Sequence, residues 1–315
     1  MVLGGLLVAA AVLTGCAHAH AALPRTQQVA VTGEASPRRC GVPANPGTTT
    51  VPVPVNGVGR VVRVYVPHAY RPDRRLPLVL NLHGTGSSAA RQESGTGMDA
   101  TADVHGFLVA YPEGLHRSGI GFGWNIPGTP TYAPHGPDEL AYLDRLITLL
   151  QERYCADLHR VYAVGFSGGG RMVSQLACQP GREVAAVAAV GGLRAPSPCA
   201  APPVPVLGVH GTADPQNPYE GHGQPYWTYS VPEAARRWAV QDGCAAAPAV
   251  NRTSPGVTLT TYHDCRGAGA VLLYTLTGRG HVWPTARSGF DCDETVWRFF
   301  AEHSRQVADR IPTAD

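Results

Sequence analysis

The sequence contains no lysine, and arginine supplies all 25 of its fixed positive charges. A P-loop is therefore excluded, because its lysine grips the phosphates of the nucleotide. The zinc-protease pattern H-E-x-x-H is also missing, and no cysteine pair has zinc-finger spacing, so we expect no metal and no cofactor. The formal net charge is only +2 and no basic stripe occurs. Nucleic acid is therefore not expected as a partner.

A run long enough to span a membrane comfortably is missing too, because the apolar stretch over residues 1–12 is too short. This stretch is typical of a signal peptide, and the Leu-Thr-Gly-Cys sequence ending at Cys16 matches the bacterial lipobox. We predict a lipoprotein signal peptide over 1–15 and lipidation of Cys16. The protein would then be extracellular, either anchored or secreted, with the lipid as its only membrane contact. No arginine precedes the run, so an unprocessed apolar helix is the alternative.

Domain boundaries follow from composition. Residues 16–55 are rich in Ala, Pro, Gly and Thr with little periodicity, which predicts a flexible tether without a core. Residues 56–308 fit a single α/β domain, since such domains often reach 200–250 residues. Residues 309–315 are predicted to form a tail.

The cysteines favour an oxidising compartment. Seven remain besides the lipobox cysteine, and in an exported protein most should pair, leaving one free. Cys244 and Cys265 bracket a short strand and are the best candidate for a disulfide. Two of the three residues Cys155, Cys178 and Cys199 could also bond, because all three should lie at one end of the sheet. The connectivity stays open among Cys40, Cys155, Cys178, Cys199 and Cys292.

Short apolar runs alternate with amphipathic helical patterns along the chain. This order predicts a mostly parallel sheet flanked by helices, with ligands at the carboxyl ends of the strands. The predicted strands are 60–66, 78–82, 106–111, 161–166, 185–190, 204–210, 257–262 and 271–276. The predicted helices are 139–154, 169–178, 233–241 and 293–303.

One motif stands out from this pattern. The strand 161–166 runs into Gly-Phe-Ser-Gly-Gly, a G-x-S-x-G sequence that opens a helix. Strand, turn and helix together are typical of a nucleophile elbow, which exposes a serine hydroxyl above the sheet. Ser167 is therefore the candidate nucleophile. A serine needs a base, an orienting acid and donors for the oxyanion before it becomes reactive.

Candidates for these partners occur in the expected chain order. Asp214 follows the strand 204–210, and His281 lies in a glycine-flanked loop after the last strand, which predicts an Asp that orients a His base. The loop after strand 78–82 predicts an oxyanion hole formed by the backbone N–H groups of Thr85 and Gly168. His83 and His210 precede the glycines of turns, which favours structural roles.

Two long irregular segments are expected at the catalytic edge, 116–137 and 216–230. Such loops in a compact domain are usually functional or disordered. Their aromatic residues predict walls for an acyl group, and packing over the sheet is the alternative. The candidate substrate-binding residues are Trp124, Tyr219 and Trp283, the last of which follows the candidate base.

Several separated motifs together resemble a known family. They include the His-Gly-Thr-Gly sequence at 83–86, the Gly-Trp-Asn sequence at 123–125, the block 153–170 and the His-Gly-Thr-Ala-Asp sequence at 210–214. The chain resembles the secreted polyhydroxybutyrate depolymerases, feruloyl esterases and acetyl xylan esterases, especially the actinobacterial lipoproteins among them. The resemblance implies an α/β-hydrolase fold. Many relatives carry Asn or Ala at the position of Gly168, and we expect this departure to alter the elbow only slightly.

The sequence therefore predicts a cofactor-free serine esterase that acts on small or oligomeric esters. Feruloyl, acetyl and short 3-hydroxyalkanoyl groups stay open as the acyl group. The alternatives are a main activity on polyhydroxybutyrate oligomers, a peptidase of the same fold, and a non-catalytic binding lipoprotein that keeps the fold.

Overall fold

The computed structural model describes residues 40–130 and 132–305. The predicted signal peptide, Cys16, the start of the tether and the tail at 309–315 lie outside the described residues. In the described part of the chain, no helix is both long and apolar enough to cross a membrane.

The described elements follow one another as strands and helices in alternation. The strands are β1 (Gly47–Val55), β2 (Val58–Val66), β3 (Leu76–Leu82), β4 (Leu108–Pro112), β5 (His116–Ser118), β6 (Gly121–Gly123), β7 (Ala156–Phe166), β8 (Ala186–Val190), β9 (Pro205–Gly211), β10 (Ala249–Ser254), β11 (Val257–Tyr262) and β12 (Ala270–Leu276). The helices are α1 (Ala89–Gly95), α2 (Met98–His105), α3 (Glu139–Tyr154), α4 (Gly168–Ala177), α5 (Val231–Gln241) and α6 (Cys292–Ala301).

Ten of these strands form one mixed sheet in the order β1-β2-β4-β3-β7-β8-β9-β12-β11-β10. The six central strands, from β4 to β12, run parallel, and two antiparallel strands extend the sheet at each side. Helices pack on both faces. The predicted α/β-hydrolase fold, a mostly parallel sheet flanked by helices, is confirmed.

The central strand β7 shows why the sheet needs helices on both faces. Val161 and Ala163 belong to the apolar core beneath α3, α4 and α5, whereas Tyr162 and Val164 belong to the core beneath α2 and α6. All four side chains are fully buried. A continuous apolar run, rather than an alternating one, is what a parallel strand covered on both faces requires.

The prediction of a tether reaching residue 55 is wrong for its last nine residues, which form strand β1 and pair antiparallel with β2. Val51 and Val53 point into the core, while Pro52 and Pro54 alternate with them on the exposed side. Proline is tolerated there because β1 lies at the edge of the sheet, where one side of the strand needs no partner. The strand was not predicted because prolines interrupt its alternating apolar pattern.

Other elements were not foreseen in the sequence. They are the helices α1 and α2, the hairpin β5–β6 and the strand β10. Each is short, and the two helices are separated only by the Thr96–Gly97 step, so that neither repeats its apolar pattern often enough to indicate a helix.

Three disulfides tie the described chain together. Cys244 pairs with Cys265, as predicted. Cys178 pairs with Cys199, while Cys155 bonds instead to Cys40 across the loop that begins the described chain. Among the cysteines that the structure describes, Cys292 alone is unpaired, and it is buried at the first residue of α6.

Asp242 makes the stability of this fold depend on pH. Its carboxyl is fully buried at the end of α5, where one oxygen accepts the Val204 N–H and the other has no described partner. Burial raises the pKa of Asp242 to about 7, against the opposing hydrogen bond from Val204 and the charges of Arg182 and Arg266. The native state therefore holds a proton that the unfolded chain releases near its ordinary pKa.

Because the pKa of Asp242 is higher in the native state than in the unfolded chain, the free energy of unfolding of the wild type decreases as pH rises from about 4 to about 7. We expect Asp242→Asn, which cannot ionise, to gain on the order of 4 kcal/mol in free energy of unfolding relative to wild type over that interval, with no further change above it. Urea denaturation at several pH values measures this difference. Asp73→Asn, at an exposed carboxyl, is the matched control, and a constant difference for Asp242→Asn would contradict the prediction.

Candidate active site

Four parallel strands deliver the predicted catalytic groups to the same edge of the sheet. Ser167 directly follows β7, Thr85 follows β3, Asp214 follows β9, and His281 follows β12. Their carboxyl ends meet because these strands run parallel through the middle of the sheet. The structure therefore brings together groups that are widely separated in sequence.

Ser167 has the backbone geometry of a nucleophile elbow. Its φ is 52° and its ψ is −111°, a conformation that L-residues rarely adopt, and its N–H is fixed by the Val190 carbonyl at 2.8 Å. The preceding Gly165 packs so tightly that a Cβ there would lie 2.3 Å from the Gly169 backbone. The turn can therefore form only with glycine at 165, and it leaves the serine side chain partly exposed.

Asp214 and His281, the predicted acid and base, lie within hydrogen-bond distance of each other. Nδ1 of His281 lies 2.7 Å from Oδ2 of Asp214. The other oxygen of Asp214 accepts the backbone N–H groups of Gln216 and Asn217, both at 2.8 Å. The carboxyl is buried, which opposes ionisation, but hydrogen bonds from His210, His281 and Asn217 outweigh burial and hold the pKa of Asp214 well below its usual range.

His281 also contacts the residue that precedes the candidate nucleophile. Its ring packs against the ring of Phe166, the residue before Ser167, with the ring centroids 4.8 Å apart. The ring is largely covered but keeps a small accessible edge. This position, between the acid and the elbow, fits a base that takes a proton from Ser167.

A second histidine approaches the same carboxylate. Nε2 of His210 lies 3.3 Å from Oδ2 of Asp214 and 2.9 Å from the Asn217 carbonyl, so this nitrogen must carry the proton. The ring is fully buried and packs against Trp227. His210 therefore holds the carboxylate of Asp214 from inside the protein, while the ring of His281 keeps an accessible edge.

Thr85 and Gly168 face each other across the elbow, as an oxyanion hole requires. A Cβ built on Gly168 would lie 2.2 Å from Oγ1 and 2.9 Å from the backbone N of Thr85. The loop that carries Thr85 is braced by the buried His83, whose Nδ1 bonds the Gly84 carbonyl and whose Nε2 accepts the Gly114 N–H. Burial lowers the pKa of His83 to about 4, so the ring is a neutral structural brace.

This packing leaves little room for a side chain at position 168. We expect Gly168→Ala to push Thr85 out of position and to lower kcat by about 10²- to 10³-fold, the usual loss for one oxyanion donor. Thr85→Ala removes the threonine Oγ1, so the double variant should recover part of the loss. Steady-state kinetics on one ester checks both effects. Equal kcat for Gly168→Ala and wild type would show that Thr85 N–H is not part of the hole.

The three aromatic residues predicted to bind substrate occupy different places. Trp124 is buried, donates from Nε1 to the His83 carbonyl, and lines a cavity of about 240 Å³ together with Thr85. Trp283 lies near Phe166 but is held away by its hydrogen bond to Asp293. Tyr219 lines none of the described cavities, because its hydroxyl bonds Oγ1 of Thr275.

Residues that the sequence reasoning missed line the same cleft. Arg171, on the first turn of α4, lines the 240 Å³ cavity and a neighbouring cavity of about 400 Å³. Arg194 contributes a further wall, beside Tyr226 and Tyr229 from the predicted aromatic loop 216–230. The signal for Arg171 was its position four residues after the nucleophile, where one helical turn returns a side chain to the same edge. Arg194, in an irregular loop, gave no comparable signal.

The sheet order and the elbow are typical of the α/β-hydrolase fold. Similar solved structures agree on the fold: acetyl xylan esterase from Aspergillus awamori superposes with a TM-score of 0.57 at 16% identity, covering 80% of this chain and 99% of that one. A thermostable esterase gives 0.54 at 18% identity, covering 82% of this chain and 63% of that chain.

Sequence comparison identifies the family. The profile described as "Esterase PHB depolymerase" matches residues 62–201. The putative esterase NocK of Nocardia uniformis subsp. tsuyamanensis is 33% identical over 265 residues, which cover 76% of this chain and 75% of NocK. Feruloyl esterase B of Piromyces equi is 30% identical, covering 74% of this chain and 44% of its own length. The chain belongs to the esterase PHB depolymerase family and is a carboxylic ester hydrolase.

Proposed function

We propose that the protein is a serine esterase in which Ser167, His281 and Asp214 form a catalytic triad. The observation that carries the proposal is the 2.7 Å contact between Nδ1 of His281 and the buried carboxylate of Asp214, beside an elbow with positive φ at Ser167. A carboxylate in that place fixes the imidazole tautomer, so that Nε2 is free to act as the base.

The reaction follows from these positions. Ser167 Oγ attacks the ester carbonyl carbon while His281 takes its proton, and the oxyanion is held by the backbone N–H groups of Thr85 and Gly168. His281 then gives the proton to the leaving alcohol, which departs as the C–O bond breaks. Water, deprotonated by His281, then attacks the acyl carbon, the bond from that carbon to Ser167 Oγ breaks, and His281 returns the proton to Ser167 as the carboxylic acid leaves.

The acyl group that we propose is feruloyl, acetyl or a short 3-hydroxyalkanoyl group. Similarity to proteins named feruloyl esterase and acetylxylan esterase supports the first two, and the matching family description supports the third. Trp124 in the wall of the cleft beside Thr85 supplies an aromatic surface for such groups.

We also propose that the enzyme works outside the cell, tethered by a lipid on Cys16. Three disulfides among the described cysteines support export, because such bonds persist in oxidising compartments. Metabolic labelling with a palmitate analogue, with Cys16→Ala as the control, tests the anchor separately from the activity.

The enzyme is tested with an ester panel and a covalent probe. Methyl ferulate, 4-nitrophenyl acetate, 4-nitrophenyl butyrate and a 3-hydroxybutyrate oligomer are assayed, and a fluorophosphonate adduct is mapped by mass spectrometry. We expect turnover of at least one ester and an adduct on the peptide that contains Ser167. A folded protein that neither turns over an ester nor reacts with the probe would overturn the proposal and leave a binding protein on this fold.

A further inference from the structure

Two arginines are buried beside the active site without a carboxylate partner. Arg171 is 8% exposed and Arg194 is 7% exposed, and neither forms an ion pair with a described residue. Three of their nitrogens make no hydrogen bond to the described chain: Nε of Arg171, and Nε and Nη2 of Arg194. Buried charges in proteins are normally paired, so this arrangement leaves two positive charges without a negative partner.

The polar and aromatic neighbours of the two arginines do not neutralise these charges. Arg171 makes long contacts, from Nη1 to Asn217 Oδ1 at 3.5 Å and from Nη2 to Thr85 Oγ1 at 3.4 Å. Arg194 donates only to the Leu193 carbonyl, at 3.3 Å. Aromatic faces cover both guanidinium groups, Tyr226 over Arg171, and Trp227 and Tyr229 over Arg194. Ring faces attract a cation, but they accept no strong hydrogen bond from it.

The lack of a negative partner also affects the pKa of Arg194. Burial lowers the pKa of Arg194 to about 9, and the positive charges of Arg171 and Arg237 act in the same direction. Burial likewise lowers the pKa of Arg171. Both groups would be stabilised by an anion between them.

The two arginines open onto connected space next to the oxyanion hole. The 400 Å³ cavity is lined by both, and the 240 Å³ cavity by Arg171 and Thr85, with Ile126 and Tyr226 shared between them. No described Asp or Glu lines either cavity. Arg171 lies within 3.4 Å of the Thr85 hydroxyl. An anion bound by Arg171 would therefore be only a few bonds away from an ester carbonyl in the proposed oxyanion hole.

We propose that this cleft is a carboxylate subsite and that the enzyme acts on esters that carry a free carboxylate group. The proposal rests on the esterase function above and specifies its substrate class. The planar guanidinium groups match a carboxylate with paired N–H donors, which a neutral acetyl or alkyl group cannot use. The carboxylate takes no part in bond making, and it positions the neighbouring ester for attack by Ser167.

The same chemistry fits two kinds of substrate. The carboxylate can belong to the acyl part, as in a monoester of a dicarboxylic acid, or to the leaving alcohol, as in an oligomer of a hydroxy acid. Both place a negative charge a few bonds from the scissile carbonyl, and the subsite recognises that charge in either case.

The test compares esters that differ only in the carboxylate. For the acyl side, monomethyl succinate, glutarate and adipate are compared with methyl butyrate, pentanoate and hexanoate. For the alcohol side, 3-acetoxybutyrate is compared with its methyl ester by acetate release. Each kcat/KM is divided by the hydroxide-catalysed rate of the same ester. We expect one acidic ester to exceed its neutral partner by about tenfold or more, which corresponds to about 1.4 kcal/mol.

Variants assign that preference to the arginines. We expect Arg194→Met to bring the acidic-to-neutral ratio of kcat/KM close to one, and Arg194→Lys to restore part of it. Arg237→Met is the matched control, because Arg237 also stacks on Tyr229 but is already paired with Glu233 at 2.8 Å. Its ratio should match that of the wild type. The fluorophosphonate labelling rate confirms that each variant retains a folded site.

The outcomes separate this inference from the proposed function. If no ester is hydrolysed at all, the esterase proposal itself fails. If the neutral esters are hydrolysed as well as or better than every acidic partner, the esterase stands and the carboxylate subsite is wrong. Protection of Ser167 from fluorophosphonate by glutarate, but not by pentanol, supports the subsite without any variant, and equal effects of both compounds contradict it.

Discussion

Ser167→Ala is expected to lower kcat for ester hydrolysis by about 10⁵- to 10⁶-fold, the loss typical of removing a triad nucleophile. Alanine keeps the Cβ, so the strained turn at φ 52° is unchanged and only the attacking oxygen is lost. Active-site titration with a fluorophosphonate and steady-state kinetics measure the effect. The remaining rate should equal that of ester bound beside the oxyanion donors and attacked by water.

A nearby serine provides the matched control for this prediction. Ser174 lies on the same helix, is 1% exposed, and donates its hydroxyl to the Gly170 carbonyl at 2.9 Å. Ser174→Ala removes an oxygen from the same element without touching the elbow, so its kcat should stay within a few fold of the wild type. A loss in Ser167→Ala no greater than in Ser174→Ala would show that the nucleophile lies elsewhere.

Asp214→Asn is expected to lower kcat by about 10⁴-fold, as the same exchange does in other triads. The asparagine can place an N–H against Nδ1 of His281, which stabilises the wrong tautomer and leaves Nε2 protonated. The exchange also alters the contact with His210, whose Nε2 is held at 3.3 Å from the same oxygen. Kinetics at neutral and alkaline pH should show a partial recovery at high pH, where hydroxide replaces the missing base.

An exposed carboxylate supplies the comparison. Asp144→Asn on α3 makes the same chemical change at a site outside the cleft, and its activity should match the wild type. Circular dichroism and the disulfide content establish that Asp214→Asn is folded. If folded Asp214→Asn kept more than about a tenth of the activity, Asp214 would not orient the base, contrary to the usual cost.

The parts of this protein that sequence could predict are those with one local cause. The α/β order follows from uninterrupted apolar strands, and the elbow from glycines that no other residue can replace, as at Gly165. Ser167, Asp214 and His281 were placed by the rule that catalytic groups follow strand ends. The helix α3 was predicted with its observed bounds because four turns repeat one apolar stripe.

The parts that sequence could not predict depend on what meets in space. The strand β1 was concealed because its prolines face away from the core. Cys155 bonds Cys40 rather than a cysteine of the next strands, a choice fixed only by packing at the end of α3. The close approach of Thr85 Oγ1 to Gly168 likewise joins residues that are far apart in sequence. Arg194 could be recognised only when its neighbours proved to include no acid.

The position of β12 in the sheet has a consequence for the order of folding. Its Ala270 pairs in parallel with Pro205 of β9, across a helix and an antiparallel hairpin. This pairing needs closure of the whole intervening segment, so it cannot form from local structure alone. His281 enters the cleft only when that ladder is complete. Recovery of catalysis during refolding therefore reports formation of this long-range ladder, whereas the signal from helices reports local structure.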